Sequence, residues 1–357
     1  MTAGGPLSTR LTDLTGIRHP IVQTGMGYVA RPRLVAAAAN AGALGVLAAA
    51  TLSYDELAAA VAEVKAAAPG RPFGVNLRAD APDAARRIAL MGREGVRVAS
   101  FAQAPTSELI RAAHDEGMVA VPSVGARRHA EKVAEWGADA VIVQGGEGGG
   151  HTGRVPTTLL LPQVVDALRG SGVAVVGAGG FFDGRGLVAA LAYGADGIAM
   201  GTRFLLTSDA PVPRAVQDRY LAADVTGTLV TTEVDGVPHR VLATVFVRSL
   251  ERGGPLVRYP RALRNAVRFS RLSGTPLRAM LREGRAMRAT RELSWPQVLM
   301  AANTPVLLRA AMVEGRADLG VMASGQVAGV IADLPSCADL VDRIMAETEE
   351  VLGRLKN

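Results

Sequence analysis

The 357-residue sequence contains one cysteine, Cys337. No internal disulfide can form, and no cysteine cluster can hold a metal. Aromatic residues are only 4%, a composition that suits tightly packed parallel strands and helices better than a β-sandwich. No run of about 18 apolar residues exists, so no membrane span is expected. Residues 1–20 are broken by Pro6, Arg10, Asp13 and Pro20 and hold no apolar stretch of the signal-peptide kind. A reducing cytoplasm is the expected setting. There is no HxxxH pattern, and no histidine–carboxylate cluster along the chain argues for a metal, so none is expected. The G-x-S-x-G elbow of serine hydrolases is also missing. Lysine is absent between Arg248 and Arg291, where twelve arginines face only Glu251 and Glu283. That window carries +10, which leaves the rest of a +6 chain at −4. The basic character therefore belongs to one segment, and no nucleic-acid motif accompanies it.

What is present is a hydrophobic complement of 49% in which Ala, Val, Leu and Gly dominate. Up to about residue 245, short apolar runs alternate with amphipathic stretches. The runs are Ile21–Gln23, Leu44–Leu47, Pro72–Asn76, Val98–Phe101, Val119–Ser123, Ala140–Gln144, Val173–Gly177 and Gly197–Met200. Stretches such as Ser53–Ala68 and Thr106–Glu116 carry helical periodicity, and Ser53 with Glu56 forms a capping box. Eight strands alternating with helices predict an α/β fold, a (β/α)8 TIM barrel. A barrel takes about 250 residues, so an insertion fits the remaining length. After about residue 250 the alternation stops at Gly253-Gly254-Pro255 and Tyr259-Pro260, and arginine-rich helical stretches follow. Helix resumes over Ser294–Leu308 and Cys337–Leu355. The expected division is a barrel over 1–247 and 296–357, with 248–295 as a helical lid in the C-terminal third.

Glycines gather at predicted strand ends, the face on which a parallel barrel places its active site. Gly177-Ala178-Gly179-Gly180 follows the seventh predicted strand, and Gly201-Thr202 follows the eighth. Either cluster alone reads as an ordinary turn. Together, after adjacent strands, they predict a phosphate site of backbone N–H groups with Thr202 as a hydroxyl donor. The stretch Gln144-Gly145-Gly146-Glu147-Gly148-Gly149-Gly150-His151 is more informative still, with five glycines in the six residues before His151. Glycine is costly to order, so such a run marks a functional loop rather than a packed element. A histidine there can exchange a proton near neutral pH, which makes His151 the candidate catalytic residue. His19, His114 and His129 read as structural or surface residues. His239, beside Pro238 and Arg240, is harder to set aside.

These pieces, taken in order, resemble the family of nitronate monooxygenases (2-nitropropane dioxygenases) and FMN-dependent enoyl-thioester reductases. The matching motifs are Gln23 to Gly27, Gly74-Val75-Asn76, Gln144 to His151, Ala178-Gly179-Gly180, Met200 to Phe204 and Ser324 to Gly329. The resemblance implies FMN as cofactor. It implies that Gly25 and Met26 lie against the flavin ring, that Asn76 and Gln144 bond its edge, and that Gly179, Gly180, Gly201 and Thr202 hold its phosphate. It further implies that Ser324, Gly325 and Gln326 close the site and that His151 is a catalytic base. Within the family, Gln144 to Asp209 and Val298–Asn303 are most similar to the flavin-dependent CoA-ester dehydrogenases of actinobacterial steroid (cholesterol) degradation. The implied substrate is a hydroxy-methyl-oxo-indane carboxyl-CoA, desaturated next to its thioester, with NAD as electron partner. Arg258, Arg261, Arg264 and Arg268 are then candidates for the CoA phosphates. Rival readings are nitronate oxidation, 2-enoyl-thioester reduction, and a flavin- or CoA-binding module without catalysis. Neither nucleic acid nor membrane is expected as a partner, and an oligomer is compatible with the sequence.

Overall fold

The computed structural model describes residues 7–102, 105–252 and 303–356, and within the remaining segment residues 260, 264, 267 and 278. Among the described residues nine strands precede residue 201: β1 (Ile21–Gln23), β2 (Leu44–Ala48), β3 (Phe73–Leu77), β4 (Val98–Phe101), β5 (Val119–Val124), β6 (Ala140–Gln144), β7 (Gly150–His151), β8 (Ala174–Ala178) and β9 (Gly197–Met200). All except β7 form one closed parallel barrel in chain order, sealed by β9 pairing back to β1. The eight expected strands are all present, with ends displaced by a residue or so. Helices between them supply the crossovers that parallel pairing requires. The helix Tyr54–Ala67 begins at the expected capping box, in which Ser53 and Glu56 bond each other's backbone N–H.

The chain divides into two compact units. The first comprises Met1–Gly148, Thr152–Pro211 and Val330–Asn357, and the second Gly149–His151 and Val212–Gly329. The first unit holds the barrel. Alternate strand residues fill its interior, among them Val22, Leu44, Val46, Val98, Val121, Ile142, Val176 and Ala199. Leu11 and Ile17, from and just after the short helix Arg10–Thr15, join the same cluster. Arg10 bonds both carboxylate oxygens of Asp196, at 3.0 and 2.9 Å, just before β9 begins. The helix is thereby fastened at the N-terminal ends of the strands. The helix Cys337–Lys356 returns to this unit and packs on the helix Gly184–Ala192. Its first residue, Cys337, is fully buried, donates its N–H to Asp209 at 2.8 Å, and lies 3.8 Å from Thr207 Oγ1. Burial, helped by the Asp209 charge, pushes the thiol up to about 12.

The second unit contains β10 (Thr228–Thr231) and β11 (His239–Leu242), antiparallel to each other. β11 also pairs with β7, giving a three-stranded sheet. Val234, Val241, Val247, Leu307 and Val321 form its own apolar cluster. The long segment of this unit runs from Val212 to Gly329, so residue 247 lies inside it. Arg258, Arg261 and Arg268 lie outside the described residues, whereas Arg264 is helical and exposed. Among the described residues, no helix is long and apolar enough to cross a membrane.

Candidate active site

In the barrel unit, the sequence-predicted residues stand at the C-terminal ends of the strands. Gln144 closes β6 and shares its parity with the interior residues Ala140 and Ile142, so its side chain turns into the barrel. Asn76, in register with Ser100 on β4, donates to that hydroxyl at 3.1 Å. The loop after β1 lies against Asn76: a Cβ added to Gly25 would stand 2.5 Å from Asn76 Cβ, so only glycine fits there. A Cβ on Gly201 would stand 3.4 Å from Met26 Sδ and 3.3 Å from Thr24 Oγ1. Gly25, Met26, Asn76 and Gly201 are therefore neighbours of one another along this face.

The glycines after β8 do different jobs. Gly179 and Gly180 both have left-handed φ values, +93° and +89°, which L side chains resist. Gly179 is enclosed, with Gly145 O, Gly148 N and Thr157 Oγ1 each 3.1 Å from where a Cβ would sit. Gly180 is uncrowded, the nearest described atom to a Cβ there being Glu147 Cβ at 3.9 Å, an ordinary contact distance. Thr202 is buried and opens the short helix Thr202–Leu205 after β9. The glycine-rich loop leaving β6 is held in shape by Glu147. Its carboxylate accepts from Thr157 N at 2.9 Å and from Thr157 Oγ1 at 2.7 Å, at the start of the helix Thr157–Ala167. Gly146 N donates to Val155 O at 2.7 Å and so closes the loop's base.

In the second unit, pairing of β7 with β11 sets His151 directly opposite His239. Their rings lie 4.7 Å apart, tilted by 50°. The turn between β10 and β11 contributes Asp235, whose Oδ2 is 2.6 Å from His151 Nε2 and 3.7 Å from His239 Nδ1. Asp235 Oδ1 accepts from Val237 N at 3.2 Å, a local turn bond that fixes the carboxylate. Asp235 and His239 are buried, while the His151 side chain is 53% exposed and open to a substrate. Burial opposes ionisation of Asp235, but the hydrogen bond from His151 and the electrostatic pull of the His151 and His239 imidazoles outweigh it and hold the carboxyl well below the usual carboxylate range. Burial also holds His239 below its ordinary value, against the pull of Asp235. An ionised carboxylate can only accept, so Nε2 of His151 is the donor in the 2.6 Å bond. In the neutral imidazole the basic lone pair is then on Nδ1.

The predicted closing segment belongs to this unit too. Ser324 is fully buried and its N–H donates to Arg240 O at 3.2 Å, next to the bridge between Val241 and Ala323. Tyr220 OH donates to Ala323 O at 2.7 Å. A Cβ on Gly149 would stand 2.5 Å from Gly325 N, so the histidine loop rests directly on the Ser324–Gly325 backbone. Gln326 opens the 3-10 turn Gln326–Val330. The structure thus brings His151, Ser324 and Gly325 into one unit, and adds Asp235 and His239. Asp235 was not identified from sequence. Its one signal is an Asp-Gly turn four residues before a histidine.

The nitronate monooxygenase family model matches residues 8–87 and 84–347. A protein of Mycobacterium tuberculosis, named "(3aS,4S,5R,7aS)-5-hydroxy-7a-methyl-1-oxo-octahydro-1H-indene-4-carboxyl-CoA dehydrogenase", is 62% identical over 96% of each chain. A protein of the same name from Rhodococcus jostii is 57% identical over 98% of this chain and 99% of its own. Among solved structures, FabK from Thermotoga maritima superposes with a TM-score of 0.79 at 30% identity, covering 98% of this chain and 99% of that one.

Proposed function

The chain belongs to the nitronate monooxygenase family, and from that premise we propose that it is an FMN-dependent dehydrogenase of a CoA thioester. Its substrate in this reading is a hydroxy-methyl-oxo-indane carboxyl-CoA of steroid breakdown, desaturated between the α and β carbons, with NAD as electron acceptor. The names carried by its relatives at 62% and 57% identity support the substrate class. The observation that carries the chemistry is the 2.6 Å contact between His151 and a buried Asp235.

The barrel face suits FMN. Gly25 and Met26 would lie against its ring, and Asn76 and Gln144 would bond the ring edge. The left-handed pair Gly179 and Gly180, with Gly180 uncrowded, together with Gly201 and Thr202, would hold the phosphate. Ser324, Gly325 and Gln326 would close the site. When bound, FMN supplies the acceptor for the β-hydride.

A thioester acidifies its α C–H, and the protein's part is to remove that proton. His151 Nδ1 takes it. Asp235, bonded to Nε2, fixes the tautomer that puts the lone pair on Nδ1 and stabilises the imidazolium formed. Asp235 is therefore a positioning residue. Arg258, Arg261, Arg264 and Arg268 would meet the CoA phosphates, since planar guanidinium groups match phosphate bidentately. The cytoplasm, where CoA esters and NAD are available, is the proposed setting.

Anaerobic mixing of the purified protein with acyl-CoA esters, nitronates and NAD(P)H tests this reading. Yellow protein whose flavin is bleached by a ring-bearing acyl-CoA and re-oxidised by NAD is the expected result. Bleaching by small nitronates alone would replace it with nitronate oxidation, and colourless protein that takes up no FMN would end both.

A further inference from the structure

His239 is the least explained group in the second unit. It is 3% exposed, yet among the described residues neither ring nitrogen has a hydrogen-bond partner, the nearest carboxylate oxygen being 3.7 Å from Nδ1. Burying a polar group without a partner costs free energy, so such a histidine calls for a ligand. One nitrogen or oxygen from each of His151, Asp235 and His239 lies within 4.8 Å of the others. Two imidazoles and a carboxylate are the donor set of open zinc sites, which keep a fourth position for water.

We propose that His151, Asp235 and His239 form a binding site for Zn2+ and that the bound ion switches the base off. Two of the three ligands are held rigidly. His239 is fixed by the pairing of β11 with β7, and Asp235 by its bond from Val237 N. Zinc sits about 2.0–2.2 Å from such donors, which places them roughly 3.3 Å from each other. The observed separations from Asp235 Oδ2 are 2.6 Å to His151 and 3.7 Å to His239. Closing the set takes a small swing of the half-exposed His151 ring. Imidazole ligands favour zinc over the hard cations magnesium and calcium.

The ion replaces the proton that His151 shares with Asp235. A neutral imidazole with zinc on Nε2 carries its hydrogen on Nδ1, and has no lone pair left to take a substrate proton. Zinc binding depends only on the three donors, whereas inhibition rests also on the reading of His151 as the base. The two can fail separately.

The test uses the FMN-loaded protein, freed of metal and dialysed against micromolar Zn2+, with bound zinc measured by elemental analysis. One equivalent is expected, with affinity lowered at least about tenfold in His239→Gln, Asp235→Asn and His151→Ala. The His151 side chain is half-exposed, so its variant keeps the test sound if the two core variants fold poorly. His114→Ala, which removes the separate pair with Asp139, should retain the equivalent. Zinc binding unchanged in the three site variants would overturn the site. Turnover should fall on adding Zn2+ and return with a chelator. Site-specific zinc binding that leaves turnover intact would uphold the site and remove His151 from the base role.

Discussion

Hydrogen-bond direction decides what His151 can do. Its Nε2 is committed to Asp235, so Nδ1 is the atom left to meet a substrate in the proposed reaction. Replacing His151 with Ala should slow turnover by about 10²–10⁴, the usual worth of a general base, and leave FMN content near one per chain. Less than about a tenfold loss would return His151 to a structural role. Asp235→Asn tests the partner. An amide can turn its NH2 toward the ring and favour the wrong tautomer, so kcat should fall by at least about tenfold with KM moving less. Equal kinetics in this variant would show that the carboxylate does not position the base. His151 was legible in the sequence because five glycines in six residues make no sense in a packed element. His239 stood out only through its neighbours Pro238 and Arg240, and Asp235 did not stand out, because it meets His151 across 84 residues and no local spacing announces that contact.

At the scale of elements, the eight barrel strands were readable because each is a short apolar run bounded by turn residues. The sheet of β10, β11 and β7 was not. β7 is two residues, Gly150 and His151, and is a strand only because β11 pairs with it. The glycines of that loop divide by what surrounds them. Gly149→Ala forces a Cβ to 2.5 Å from Gly325 N, where backbone meets backbone and neither side yields easily. Overpacking of this kind costs about 1–3 kcal/mol, so a thermal melt should drop by several degrees. Gly180→Ala makes only an ordinary contact with Glu147 Cβ at 3.9 Å and is strained by its left-handed φ of +89°. That strain is worth roughly 1–2 kcal/mol. Its methyl would stand where the phosphate is proposed, so FMN retention should suffer more than in Gly149→Ala. Equal flavin content in the two variants would argue against Gly180 as a phosphate contact.

Across the whole molecule, charge is the least evenly distributed property: +10 in the arginine window against −4 elsewhere. Replacing two or three of Arg258, Arg261, Arg264 and Arg268 with Ala should raise KM for the acyl-CoA and change kcat less. The parent's affinity should also weaken with salt, since exposed phosphate pairs are screened. Variants that bind CoA esters like the parent at low salt would free those four arginines of the role. The overall division was only partly legible. Composition marked the arginine window, but the change of unit at Val212 was not read, although Pro211 and Pro213 flank it. At the other end of the chain, the lone thiol of Cys337 is sealed under the last helix with its proton held to about pH 12. A reagent in solution can reach it only in the moments when that helix lifts. Its labelling rate is therefore a clock built into the chain: at saturating reagent it counts openings per second, and at low reagent it reports how rarely the lifted state is populated.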